Sequence, residues 1–180
     1  MSETTCRVSE PDWRDQLIAL IPTLRAFAWS ICRNEADADD LVQDTLIKAW
    51  RHGDQFAPGT NLRAWLCTIL RNTYYTAIVR RRREVQDEDG KQAAALTSPP
   101  NQEWTLAMRS LEAALQQLPA EHREALMLVG SGLSYEEAAE ICGCALGTIK
   151  SRINRGRGRL MSLMMAEHVS EVIGRAASGG

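Results

Sequence analysis

Residues 133–160 read LSYEEAAEICGCALGTIKSRINRGRGRL. The opening Ser134-Tyr135-Glu136-Glu137 has the form of a capping box, in which Ser134 and Glu137 satisfy each other's neighbouring backbone donors. A short helix through Ala138, Ala139 and Ile141 follows, Gly143 marks a bend, and a second helix starts near Ala145 and runs past Leu160. On that second helix Ile149, Ile153 and Leu160 supply much of a buried stripe. Lys150, Ser151, Asn154 and Arg155 fall at i, i+1, i+4 and i+5 and share the opposing face. The run from Ala145 to Arg159 carries Lys150, Arg152, Arg155, Arg157 and Arg159 without an acid. This is the pattern of a helix-turn-helix, whose second helix enters the major groove. Lys and Arg match guanine O6 and N7, and Asn matches adenine N6 and N7. Thr148, near the helix start, is placed to hold a phosphate together with nearby backbone N–H groups. Cys142-Gly143-Cys144 has no second cysteine pair or neighbouring histidine to complete four zinc ligands, so these read as buried or turn thiols. Neither a metal nor a cofactor is expected.

Working outward, residues 104–168 form one helical module. Leu106, Leu111, Ala114, Leu115 and Leu118 stripe its first helix, which Pro119 ends. Glu121 to Val129 is a second helix, stopped by Gly130-Ser131-Gly132. Upstream, residues 84–103 (EVQDEDGKQAAALTSPPNQE) lack a strong apolar stripe and read as a linker. Residues 10–83 form another helical module. Asp12 is placed to cap its first helix, and Pro22 is expected to break or kink it. Asn34 caps a segment in which Ala38, Leu41, Val42, Thr45, Leu46, Ala49 and Trp50 repeat at helical spacing. Phe56 to Thr60 is a turn, and Asn61 caps a helix that carries Leu62, Trp65, Leu66, Ile69 and Leu70 into the arginines at 80–83. Residues 169–180 read as a frayed tail. The fold class is all-α: two helical domains joined by a flexible linker.

Composition bounds the function. The 180 residues are 44% apolar and 24% charged, a globular profile that excludes disorder throughout. No run approaches the ~18 apolar residues of a membrane span, and Met1 to Pro11 lacks a basic-then-apolar signal, so a cytoplasmic location without membrane association is expected. The five cysteines are scattered like thiols of a reducing compartment. The net charge of −2 hides segregation. Glu35 to Asp44 is acidic, Arg71 to Arg83 basic, Glu84 to Asp89 acidic, and Ala145 to Arg159 basic. Two distant basic blocks suggest two anionic contacts.

The first module offers two surfaces. The helix Asp37–Arg51 turns Asp39, Asp40, Gln43, Asp44, Ile47 and Lys48 away from its stripe. An outward Ile among carboxylates suggests a partner face, although the pattern alone fits a solvated acidic face equally well. The next helix mixes Trp65, Tyr74 and Tyr75 with Asn61, Asn72 and arginines, the ingredients for stacking on single-stranded DNA. Asn72 and the turn Phe56–Asn61 could frame a polar pocket for an extruded base. Trp65 reads either as part of that surface or as core.

Together these segments resemble the extracytoplasmic-function sigma factors of bacterial RNA polymerase over nearly the whole chain. Asp40-Leu41-Val42-Gln43-Asp44-Thr45-Leu46-Ile47-Lys48-Ala49-Trp50 is similar to the family's core-binding helix. Asn61-Leu62-Arg63-Ala64-Trp65-Leu66 and Arg71-Asn72-Thr73 are similar to its minus-ten segment. Leu133 to Ala139 with Gly147-Thr148-Ile149-Lys150-Ser151-Arg152 is similar to its minus-thirty-five domain. Arg82-Arg83-Glu84-Val85, Asp87, Asp89-Gly90 and Glu140 to Ala145 resemble the EcfG-like group, which serves the general stress response of alphaproteobacteria. Gly156 and Gly158 stand where that group usually has Ala.

The resemblance implies a transcription initiation factor that performs no bond chemistry. Asp40, Gln43, Asp44, Ile47 and Lys48 would dock on core RNA polymerase. Phe56, Asn61, Arg71, Asn72, Tyr75 and Arg80 would engage minus-ten promoter DNA. Lys150, Ser151, Asn154 and Arg155 would read the minus-thirty-five element, with Thr148 and Arg152 on phosphates. A NepR-type anti-sigma factor would hold the protein inactive until a PhyR-type regulator removes it. Two promoter elements one and a half turns apart lie roughly 50 Å from each other. The linker reaches at most roughly 70 Å, enough to span them.

Overall fold

The computed structural model describes residues 13–87 and 106–177. Its helices are α1 Trp13–Cys32, α2 Glu35–Arg51, α3 Leu62–Asp87, α4 Leu106–Gln116, α5 Ala120–Gly130, α6 Tyr135–Cys142 and α7 Leu146–Ala177. A 3-10 turn, Gly53–Gln55, follows α2. No strand occurs among the described residues, in keeping with the all-α expectation. Asp12, Cys6 and residues 88–105 of the linker region lie outside the described residues.

Local chemistry sets most boundaries. Asn34 Oδ1 accepts from the Ala36 N–H at 2.9 Å and caps α2. Lys48 and Arg51 sit in the last turn of that helix, where they complement its dipole. Asn61 Oδ1 accepts from the Arg63 N–H at 3.1 Å and caps α3. Gly143 adopts φ 62° and ψ 40°, a left-handed conformation that closes α6 and re-aims the chain into α7. Arg33 shows the same left-handed φ, 60°, after α1. Its cost there is offset in part by its guanidinium, which donates to the Gln116 carbonyl at 2.9 Å.

Three expectations need correction. Of the two effects expected of Pro22, a break or a kink, the break does not occur: α1 runs through it. Pro22 and Ile18 both face outward, so water can take the Ile18 carbonyl that loses its helical donor. Trp50 is not buried with its stripe but 64% exposed at the end of α2. Helix also extends beyond the expected bounds, with α3 continuing to Asp87 inside the expected linker and α7 to Ala177 inside the expected frayed tail.

The two modules share one apolar core. Leu24, Phe27, Leu66 and Leu70 of the first belong to the same buried cluster as Ala125, Leu128, Ile141, Ile149 and Ile153 of the second. Helix α5 packs on α1, and α6 on α3. Arg123 on α5 is the largest fully buried side chain among the described residues, 1% exposed. Its guanidinium donates to the Ser30 carbonyl on α1 and to the Leu118 carbonyl at 3.0 Å. Burial pulls its pKa down, helped by the neighbouring Arg33. An arginine keeps its charge under such a shift, and the carbonyl oxygens supply what water would otherwise give.

Candidate nucleic-acid and polymerase interfaces

The second module exposes three of the six side chains expected on its reading face, Lys150, Asn154 and Arg155. The capping box is formed: Ser134 Oγ accepts from the Glu137 N–H at 3.1 Å, and Glu137 Oε2 accepts from the Ser134 N–H at 2.8 Å. That backbone hydrogen bond holds the Glu137 carboxyl below its ordinary pKa. With α6 so fixed, α7 buries Ile149 and Ile153 and turns Lys150, Asn154 and Arg155 to the outside. Ser151 is half-buried and donates to the Thr148 carbonyl at 2.9 Å, so that hydroxyl is already engaged within the helix. Arg152 is turned elsewhere: one guanidinium nitrogen meets Glu121 at 2.7 Å and another lies 3.6 Å from Cys144 Sγ. It clamps α7 to α5 and the turn. Cys142 is buried, and desolvation pushes its thiol up to about 12, which leaves it unreactive.

The outward face of α2 exposes Asp40, Gln43, Asp44 and Lys48, with Ile47 49% exposed among them. Asp39 is taken by Arg25 through two bonds of 2.7 and 2.9 Å and ties α2 to α1. Lys48 swings toward α3, where its Nζ donates to Thr73 Oγ1 at 3.0 Å. That places it on the wall of a cavity of about 230 Å³, with His52, Gln55, Trp65, Asn72 and Thr76. The pocket at Asn72 is thus walled by the end of α2 and the 3-10 turn. The turn 56–61, expected to frame it, does not line it. Its lining combines amide, hydroxyl and ammonium groups with the Trp65 side chain, a mixture of polar and aromatic groups of the kind a nucleobase pocket uses.

The remaining expected minus-ten residues are scattered. Phe56 packs at 5.3 Å from Trp65 and 6.2 Å from Trp13 in an aromatic cluster. Trp65 therefore serves both readings, as cluster member and cavity wall. Asn61 Nδ2 donates to Glu137 at 2.6 Å, across to the second module. Arg71 pairs with Glu124 on α5 at 2.5 Å and lies over the Tyr75 ring at 4.6 Å. The Tyr75 hydroxyl reaches the other Glu124 oxygen at 3.3 Å. Burial pulls the Arg71 pKa down, but the Glu124 carboxylate outweighs it and the net shift is upward. Arg80 is exposed further along α3.

Sequence reasoning missed His52, Gln55 and Thr76 as cavity walls, and Glu124 as the carboxylate that faces Arg71. Glu124 stands one turn before Leu128, on the apolar side of α5, and that register was the available signal.

Family models match both modules. Sigma-70 region 2 covers residues 18–84, and Sigma-70, region 4 covers residues 108–160. The chain is 54% identical over 155 residues to the ECF RNA polymerase sigma factor EcfG of Rhodopseudomonas palustris (strain TIE-1), covering 86% of each. Among solved structures it resembles the sigma factor RpoE in complex with the anti-sigma factor NepR from Bartonella quintana. That match has 50% identity and a TM-score of 0.76, and covers 86% of this chain and 97% of the other. A chain of the PhyRSL–NepR complex from Sphingomonas sp. Fr1 matches with a TM-score of 0.61 at 20% identity, over 83% of this chain and 87% of that one, and speaks for the fold alone. With both region models in order and 54% identity to EcfG over most of the chain, the protein belongs to the extracytoplasmic-function sigma factors of bacterial RNA polymerase, within the EcfG-like group.

Proposed function

We propose that this protein binds core RNA polymerase in the cytoplasm and directs it to promoters of general stress response genes. Asp40, Gln43, Asp44 and Ile47 form the docking face on the polymerase. The cavity at Asn72 receives one extruded base of the minus-ten element, and Lys48 serves that cavity as well as the docking face. Lys150, Asn154 and Arg155 read the minus-thirty-five element in the major groove, assisted by Thr148 and the backbone at the start of α7. A NepR-type anti-sigma factor restrains the protein, and a PhyR-type regulator relieves that restraint. The protein contributes readout and strand capture and makes no covalent change itself.

The observation that carries this reading is the α7 face, where three polar or cationic side chains point outward over two fully buried isoleucines. Solvation alone would allow such a face, but on the second helix of a helix-turn-helix its side chains match the base edges of the major groove. Transcription from a random promoter library, with purified core polymerase and this protein, tests it. A two-part consensus with fixed spacing is expected. Absence of any promoter-specific transcript would overturn the reading.

A further inference from the structure

We propose that Trp13 sets the shape of the cavity at Asn72 without lining it, and so governs how sharply that cavity discriminates among bases. This rests on the proposed function for what the cavity receives, and adds a positioning residue to it. The walls come from elements that the chain does not join locally. Lys48 and His52 stand at the end of α2, Gln55 on the 3-10 turn, and Trp65 and Asn72 on α3. Trp13 is the first residue of α1 and is not among the lining residues.

Trp13 nevertheless touches both sides of the cavity. Its ring lies against the backbone of Gly53, between His52 and Gln55. A Cβ there would fall 2.5 Å from Trp13 Cζ2 and 3.2 Å from its Cη2, so the ring fits only because residue 53 carries no side chain. The same ring packs edge-on against Trp65, with centroids 6.0 Å apart and planes at 84°. Phe56, directly after the turn, completes the cluster at 6.2 Å from Trp13 and 5.3 Å from Trp65. The Arg14 guanidinium lies 5.2 Å from the ring centroids of both Trp13 and Trp50, and adds a cation–π hold to the Trp13 ring.

The turn needs such a support. It is three residues long, and its closing bonds run from the Gln55 N–H to the His52 carbonyl at 2.9 Å and from the Phe56 N–H to the Gly53 carbonyl at 3.3 Å. Short 3-10 segments have poor hydrogen-bond geometry, so tertiary contact decides where this one sits. The spacing between the turn and Trp65 sets the room for a flat ring, and Trp13 contacts both. A misplacement of about 1 Å is enough to spoil the alignment of a bound group. With Trp13 in place, the polar groups of the cavity are held in one arrangement and favour one base edge. Without it the turn drifts, and several edges fit equally well. Helix α1 thus takes part in promoter reading through a single indole.

The test compares the full-length wild type with Trp13→Ala, Trp13→Phe and Gly53→Ala. Sequencing of transcripts from the random promoter library, made with core polymerase, reads discrimination at every promoter position. Amide hydrogen exchange at Gln55 and Phe56 in the free protein reads the turn without DNA. Trp13→Ala is expected to exchange about tenfold faster at those amides, and to discriminate about tenfold less at one minus-ten position, with the minus-thirty-five preference unchanged. Trp13→Phe keeps part of the ring contact and is expected between wild type and Trp13→Ala. Gly53→Ala attacks the same contact from the other side and is expected to lose discrimination at the same position. If Trp13→Ala does not fold, Trp13→Phe and Gly53→Ala carry the comparison. A merely structural role would weaken preference at both promoter elements together, and that result would overturn the inference. So would wild-type exchange at Gln55 and Phe56, or unchanged minus-ten discrimination in the variants. Faster exchange with no two-part consensus from any of the proteins, wild type included, would instead sink the proposed function and leave the anchoring of the turn standing.

Discussion

Two glycines in one helix should respond to alanine with opposite sign. Gly156 and Gly158 both lie inside α7. A Cβ built at Gly158 meets nothing within 4 Å, so Gly158→Ala adds only the helix preference of alanine, ~1 kcal/mol. A Cβ at Gly156 falls 2.9 Å from Leu126 Cδ1, 3.2 Å from its Cγ and 3.3 Å from His122 Cβ. The methyl tip of Leu126 can turn away, but the branch carbon and the His122 Cβ sit close to the backbone of α5. Overpacking of this kind costs ~1–3 kcal/mol, which exceeds the alanine gain over most of that range. The net expectation is a loss of ~1 kcal/mol for Gly156→Ala against a gain of ~1 kcal/mol for Gly158→Ala. For a chain of this size each kcal/mol moves the melting midpoint by about 2–4 °C. Thermal melts of the full-length protein by circular dichroism therefore place the wild type between the two variants, with Gly158→Ala several degrees above Gly156→Ala. A Gly156→Ala protein that melts as high as Gly158→Ala would refute the claim that close approach of α5 and α7 requires the missing side chain.

Asn154→Ala removes a partner suited to adenine and should relax promoter preference at one position of the upstream element, by ~1–3 kcal/mol of discrimination, read by competition among library promoters. Lys150→Ala should act likewise at a neighbouring position, and an unchanged consensus for both would exclude a reading role. Asp44→Arg reverses charge on an exposed face and should abolish co-purification with core polymerase while the melting midpoint stays put. Glu137 has its folded pKa held below the ordinary value, so its stabilising contribution is fully present above the unfolded carboxyl pKa and disappears as pH falls through the folded one. Melts from neutral to acidic pH should show that loss in the wild type and a smaller one in Glu137→Gln.

What the sequence disclosed was local chemistry. The Ser134–Glu137 box, the Asn34 and Asn61 caps and the Gly143 bend each depend on residues within four positions, and each stands as read. The outward face of α7 was legible for the same reason, because helical spacing decides it once Ile149 and Ile153 are taken as core. Long-range partners were not legible. Nothing near Arg152 indicated that Glu121 would claim it, and nothing near Arg71 indicated Glu124, 53 positions away. Lys48 sits on the predicted docking face, yet its length lets it reach Thr73 on another helix. Trp50 follows the period of α2, but it falls in the last turn, where the start of α1 covers it only in part, with the Trp13 ring 6.5 Å away. Periodicity fixes direction from a helix axis and says nothing of how far the next element extends.

The composition of the join between modules bears on the register in which they meet. A seam made only of leucines and isoleucines would gain ~25 cal/mol for each Å² buried and would resist parting. Here the seam also contains Arg123, Arg71 and Glu124, all taken wholly or partly out of water. Desolvating such groups consumes much of what their attraction returns, so the ionic part adds little net stability. It does add selectivity of position, because any other docking of the modules would strand a buried charge. Arg123 spans the join, bonded to the Ser30 carbonyl on α1 and to the Leu118 carbonyl of its own module. Arg71 and Glu124 join across the same seam. The charged groups thus specify a single register for the join, which an all-apolar seam of the same area would not do.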